Sequence, residues 1–137
     1  MEEEKMLDMT SVAEDAADAE KVAEEARQEV DAGSYTHSFK RQPFQWKGRT
    51  YDKLTFDWTV LSGKDHLEIE NEILLKGRTL VSPAFTGDFL AGMAARACTE
   101  RDEQGRRVID GQAIMAMNMA DFQAITRKAR GFLLRAE

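Results

Sequence analysis

Leu54-Thr55-Phe56-Asp57-Trp58 is followed, after a short link, by Ser62-Gly63-Lys64-Asp65-His66-Leu67-Glu68-Ile69-Glu70-Asn71-Glu72-Ile73-Leu74. In the first stretch apolar and polar residues alternate with period two, which predicts a strand with one buried face. In the second, His66, Leu67, Ile69, Ile73 and Leu74 stand among three glutamates. Ser62 is placed to cap, with Asp65 three residues on, and Gly77 follows the run, so a helix is predicted over 63–76. The change of period places a β element directly before the first of several helices. The expected fold class is therefore α+β: an N-terminal β-hairpin or three-strand meander packed on about four α-helices.

Upstream, residues 35–58 hold most of the aromatic side chains. Phe39, with His37 and Arg41, predicts an earlier strand that Pro43 confines to an edge or its end. Lys47-Gly48 between Trp46 and Tyr51 marks the turn. Downstream, Ser82-Pro83 opens a helix predicted over about 85–100, with Phe85, Phe89, Met93 and Ala97 on one side. Residues 101–107 are charged, contain Gly105, and read as an exposed loop. Asp110 caps a short helix over 111–117. Asn118 and Asp121 open a last helix whose Phe122, Ile125, Ala129, Phe132, Leu133 and Ala136 recur at steps of three and four. Arg127, Lys128, Arg130 and Arg135 sit in its second half, where they suit the helix dipole.

The chain has 137 residues and a net charge of −6, unevenly spread. Residues 1–33 carry twelve acids and three bases, whereas residues 34–137 carry thirteen acids and sixteen bases. This divides the chain into an acidic arm, 1–33, and a mildly basic domain, 34–137. In the arm, Val12, Ala16, Ala19, Ala23, Ala26 and Val30 recur at helical spacing, but an alanine stripe buries little area. The arm is read as helical or disordered, ending near Gly33. Its charge either solubilises the chain or engages a partner.

Several function classes find no support. No stretch approaches the roughly 18 apolar residues of a membrane span. Met1-Glu2-Glu3-Glu4 is the reverse of a secretory signal's basic start, and Cys98 is the sole cysteine, so a reducing cytoplasm is expected. Two scattered histidines and one cysteine do not make a zinc set, and no phosphate-binding glycine loop is present. No catalytic residue, cofactor or metal is expected. Arg106-Arg107 and Arg127-Lys128-Arg130 read as a solvated loop and an exposed helix face. Nucleic acid is a poor partner, since the acidic arm repels phosphates.

What remains is contact chemistry. Met115, Met117 and Met119 stand at steps of two and cannot share a helix face, which agrees with a break near Asn118. Methionine suits adaptable surfaces, and it also fills gaps between helices. Both readings stay open, as they do for the aromatic residues of a small hairpin. The candidate partner contacts are Phe44, Trp46, Tyr51, Phe89, Met93, Met115, Met117, Met119 and Phe122.

The order of these elements resembles the phage tail assembly chaperone family. The resemblance covers about residues 36–135. It is carried by Phe39, Pro43, Lys47-Gly48-Arg49-Thr50-Tyr51 and Leu54, then the acidic helix, then Phe89-Leu90 to Ala94-Ala95-Arg96-Ala97. Met117-Asn118-Met119-Ala120-Asp121-Phe122 closes it, with methionines where that family commonly has a leucine. The resemblance implies a non-enzymatic protein of the host bacterial cytoplasm that is absent from the mature virion. Its implied partner is the tape measure protein, with the tail tube protein a second and self-association open. The alternatives are a structural tail or connector subunit and a small nucleic-acid-binding regulator.

Overall fold

The computed structural model describes residues 33–135. The helical reading of the acidic arm, and the place given to Ala136, lie outside the described residues. The body is α+β, a small antiparallel β region over residues 34–57 followed by four helices.

The β region is one hairpin nested in another rather than a meander. β1 (Ser34–Ser38) pairs with β4 (Lys53–Asp57), and between them β2 (Phe44–Trp46) pairs with β3 (Arg49–Tyr51). The Phe39 amide donates to the Asp52 carbonyl at 2.9 Å, extending the outer ladder by one bond. Residues 40–43 then interrupt it, where Pro43 has no N–H to give. The first strand thus lies earlier than expected, with Phe39 buried just past its end and Arg41 exposed in the interruption. At the tip, Lys47 and Gly48 both take positive φ (47° and 78°), the geometry that matches a two-residue turn to the twist of its strands.

Helix α1 (Gly63–Leu75) begins with a complete capping box. Ser62 Oγ accepts from the Asp65 amide, and Asp65 Oδ2 accepts from the Ser62 amide at 2.9 Å. Gly77, at φ 76°, supplies the left-handed residue that follows its C-cap.

Helix α2 (Gly87–Ala97) is shorter than the predicted 85–100 at both ends. Pro83–Phe85 forms a separate 3-10 turn, and extended Thr86 breaks the path to α2. Phe85 therefore does not share the buried side of Phe89 and Met93. It is 71% exposed, with the Arg130 guanidinium 5.4 Å over its ring. At the other end Cys98 leaves the helix to bridge Phe56, and the Thr99 amide donates to the Thr55 carbonyl at 2.9 Å. Pairing with the free side of β4 ends α2, a tertiary cause that helix spacing does not carry.

Residues 101–107 make a tight, exposed turn held by Asp102, whose carboxylate accepts from the Gln104 and Arg106 amides. Helix α3 (Gly111–Ala116) is capped by Asp110, which accepts from the Ala113 amide at 2.9 Å. Helix α4 (Met119–Arg135) opens where Asn118 Oδ1 accepts from the Asp121 amide at 2.9 Å.

Seven of the eleven residues of α2 are buried. Leu54, Phe56 and Trp58 pack on it from the β side, Ile69 and Ile73 from α1, Ile114 from α3, and Ile125 and Ala129 from α4. Ala91, Ala94, Ala95 and Ala97 of α2 are small and let the neighbouring backbones approach. A Cβ built on Gly92 would lie 2.8 Å from Ile69 Cγ2, so glycine sets the α1–α2 spacing.

Gly92→Ala should cost about 1 kcal/mol net in urea unfolding, because overpacking of roughly 1–3 kcal/mol is offset by about 1 kcal/mol of helix propensity. In an Ile69→Ala background the same change should become neutral or stabilising. An equal cost in both backgrounds would show that Ile69 is not what Gly92 makes room for.

Cys98 gives a second check. Burial pushes its thiol from 9.0 up to about 11, despite a backbone hydrogen bond from Glu100 that pulls the other way. A raised folded value means that its contribution is complete below pH 9.0 and is lost as pH rises toward about 11. At about pH 8 the native protein should resist iodoacetamide while the urea-unfolded chain reacts. Rapid labelling of the folded protein would place the thiol outside the core.

Candidate functional site

Where α1, α2 and the C-terminal half of α4 meet, an open apolar groove of about 510 Å³ remains. Its walls are Leu61, Leu67 and Ile69 on one side and Phe132 and Leu133 on the other, with Phe89 and Met93 as floor. The heptad-like spacing of α4 explains the far wall: Ile125 and Ala129 are spent on the core, and Phe132 and Leu133, one turn on, are half-buried. Trp58 lies behind Phe132, ring centroids 6.4 Å apart, and Phe56 stacks on Trp58 at 5.7 Å. His66 sits edge-on over Phe89 at 4.8 Å.

Polar links fix both walls. On α1, Asp65, Glu68 and Glu72 share a face at steps of three and four and converge on Arg96 of α2 at 3.0, 2.6 and 3.0 Å. Burial lowers the Arg96 pKa, but the hydrogen bonds to Glu68, Asp65 and Glu72 overcome that, and the net shift is upward. For Asp65, burial works upward, and the bonds from the Ser62 amide and Arg96 prevail to hold the carboxyl below its usual value.

The start of α4 is tied to β1 by a buried relay. His37 Nε2 lies 2.7 Å from Asp121 Oδ1, and His37 Nδ1 lies 2.7 Å from the Tyr35 hydroxyl. The Tyr35 hydroxyl, the His37 ring and the Asp121 carboxylate thus form one hydrogen-bonded chain. Both ring nitrogens are thereby engaged. The arrangement has the parts of an acid–base relay and acts as a clasp between strand and helix.

The residues expected at a partner surface do not form one surface. Phe89 and Met93 floor the groove. Phe44 and Met117 line a different, more polar cleft of about 590 Å³ beside Pro43 and Asp121. Trp46 and Tyr51 wall a third, of about 230 Å³, against residues 102–110. Phe122 is half-buried against the core. The methionine triplet splits at the break: Met117 is buried, whereas Met115 and Met119 are exposed. The hairpin's aromatic face is half-buried as a stack running from Phe39 through Phe44 to Trp46.

Residues that matter here and that the sequence reading did not set among the partner contacts are Leu61, Leu67, Phe132 and Leu133, and it did not link Arg96 to α1 or His37 to Asp121. The acidic stripe of α1 and the cap at Asn118 were visible signals, but neither names its distant partner.

Among the described residues, no group of three His, Cys, Asp or Glu is placed to hold a metal ion, and no helix is long and apolar enough to cross a membrane. Comparison with protein-family models, with curated proteins and with solved structures found no match.

Asp121→Ala should lower stability by about 2–3 kcal/mol, since it leaves a buried imidazole without its charged acceptor, and Asp121→Asn should cost less. Urea unfolding checks this. An Asp121→Ala variant as stable as the parent would remove the clasp from the account.

Proposed function

We propose that the chain is a non-enzymatic phage tail assembly chaperone that holds the tape measure protein in soluble form in the host cytoplasm and leaves before the virion matures. The observation that carries this reading is the open groove between α1, α2 and α4. Helix-in-groove recognition uses such a surface: an amphipathic helix lays its apolar face into a hydrophobic trough. A tape measure client is a long helical chain that presents many such faces in turn. The unbranched Met93 in the floor adapts to different client side chains.

The element order that resembles the chaperone family supports the same reading. So does the charge distribution. The arm carries a surplus of nine negative charges, which keeps a bound complex soluble by like-charge repulsion. The groove walls supply area but no reacting group: their polar residues are Ser62 and Asp65, engaged in capping, and His66, which edges onto Phe89.

A tagged full-length chain expressed in infected or induced cells should recover a tape measure or tail tube protein, identified by mass spectrometry. Leu67→Asp should reduce that recovery at least about tenfold, because it places an unpaired charge in the apolar contact. Leu67 is 60% exposed, so the variant keeps its fold. Purified particles should lack the chain. Its stoichiometric presence there, or recovery of tail proteins unchanged by Leu67→Asp, would overturn the reading.

A further inference from the structure

The third cleft carries chemistry that the groove does not use. Across the β2–β3 turn, Trp46 stands opposite Arg49, and Phe44 opposite Tyr51, so Trp46, Arg49 and Tyr51 share one face of the inner hairpin. That face looks onto Asp102, Arg107, Val108 and Asp110 across the pocket of about 230 Å³.

Two observations there have no internal explanation. The first is a pair of orphan polar groups. Trp46 Nε1 and the Tyr51 hydroxyl are both withdrawn from solvent, and neither has a hydrogen-bond partner. Tyr51 as a whole is 8% exposed. Buried donors are nearly always paired, and an unpaired one costs about 1–3 kcal/mol. Trp46 and Tyr51 both line this small pocket, and each carries a shielded hydrogen without an acceptor.

The second is a surplus of cations. Lys47, Arg49 and Arg107 line the pocket with Asp102 and Asp110. Both acids are already engaged, Asp102 by the amides of its own turn and Asp110 as the cap of α3. Among the described residues none of the three cations enters an ion pair; Lys47 lies over the Trp46 ring at 5.8 Å. Arg49 and Arg107 are exposed, and their guanidinium forks are the geometry that grips a two-oxygen acceptor.

We infer that this pocket binds an oxyanion, a phosphate or carboxylate group whose oxygens accept from Trp46 Nε1 and the Tyr51 hydroxyl and whose charge is met by Arg49 and Arg107. An acceptor satisfies both orphans at once, which no side chain of the surrounding wall does. Because both donors are withdrawn from solvent, binding requires lining side chains to move.

The chain has two tryptophans, so its proton–nitrogen spectrum contains two indole signals. Trp58, fully buried in the core, serves as the internal reference. Full-length protein is titrated with potassium phosphate and, separately, with potassium acetate, each against potassium chloride at matched ionic strength. The Trp46 signal, assigned by its loss in Trp46→Phe, should shift saturably, with half-saturation below about 10 mM for the better ion. The Trp58 signal should stay in place. Phosphate saturating first assigns a phosphoryl ligand, and acetate first assigns a carboxylate. The doubly substituted Arg49→Gln, Arg107→Gln protein, altered at exposed positions, should bind at least about tenfold more weakly. No shift of Trp46 beyond that in chloride, or a saturable shift unchanged in the double variant, would overturn the site.

Discussion

Helix α2 must be narrow, and the rest of the body is arranged around that constraint. A helix buried over seven of eleven positions has neighbours on most of its circumference, so each of them has to come close. Ala91, Ala94, Ala95 and Ala97 permit this on three sides, and Gly92 permits it toward Ile69. Beside α2's own Phe89, Leu90 and Met93, the core is filled from outside: Phe56 and Trp58 from the β region, Ile73 from α1, Ile114 and Ile125 from the last two helices. A bulky central helix with slender neighbours would fill the same volume but would hold the outer elements too far apart for Arg96 to reach three carboxylates on α1. The polar clamp therefore depends on the apolar spacing.

The two walls of the groove are secured by different physics. The α1 wall is held by charge, at a position where Arg96 is largely shielded but Glu68 and Glu72 remain partly in water. Its strength is thus sensitive to ionic strength on the outer side and insensitive on the inner one. The α4 wall is held at its far end, by the His37–Asp121 bond to β1, and by the packing of Ile125 and Ala129. Between these anchors Phe132 and Leu133 remain half-buried. The backbone of the groove is thus pinned at both walls while part of the Phe132 and Leu133 side-chain area stays open.

Local rules were enough to place most elements. The capping box at Ser62, the caps at Asp110 and Asn118, the Lys47-Gly48 turn and the exposed loop at 101–107 are each decided by residues within four positions of one another. The failures occur where a distant partner decides. Phe85 reads as the next step of the Phe89–Met93 stripe, yet extended Thr86 and the Arg130 guanidinium take it out of the core. Cys98 reads as helical, yet β4 claims its backbone. The first strand was extended toward Arg41 because His37, Phe39 and Arg41 stand at steps of two, whereas the ladder stops at the Phe39 amide. For the site, Phe89 and Met93 were legible as an apolar face, but the residues opposite them come from α1 and α4. Periodicity identifies which face of a helix is apolar without telling how much of it another helix will cover.

The same argument separates two orphan indoles that look alike on paper. Trp58 Nε1 and Trp46 Nε1 are both buried and unpaired. Trp58 is fully buried between Phe56 and Phe132, with its ring stacked on both. Its unpaired hydrogen is an uncompensated loss that the large aromatic area outweighs, since burying such a ring contributes more than the roughly 1–3 kcal/mol that an orphan donor costs. Among the described residues Trp46 stacks on Phe44 alone and buries less of its ring. It is only half-buried, near the turn of a hairpin, beside a second orphan at Tyr51 and three cations that, among the described residues, enter no ion pair. A core can tolerate a lost hydrogen bond where packing is gained in exchange. A small polar pocket at the surface gains no comparable area, so its unpaired donors and unbalanced charge are accounted for by what enters it.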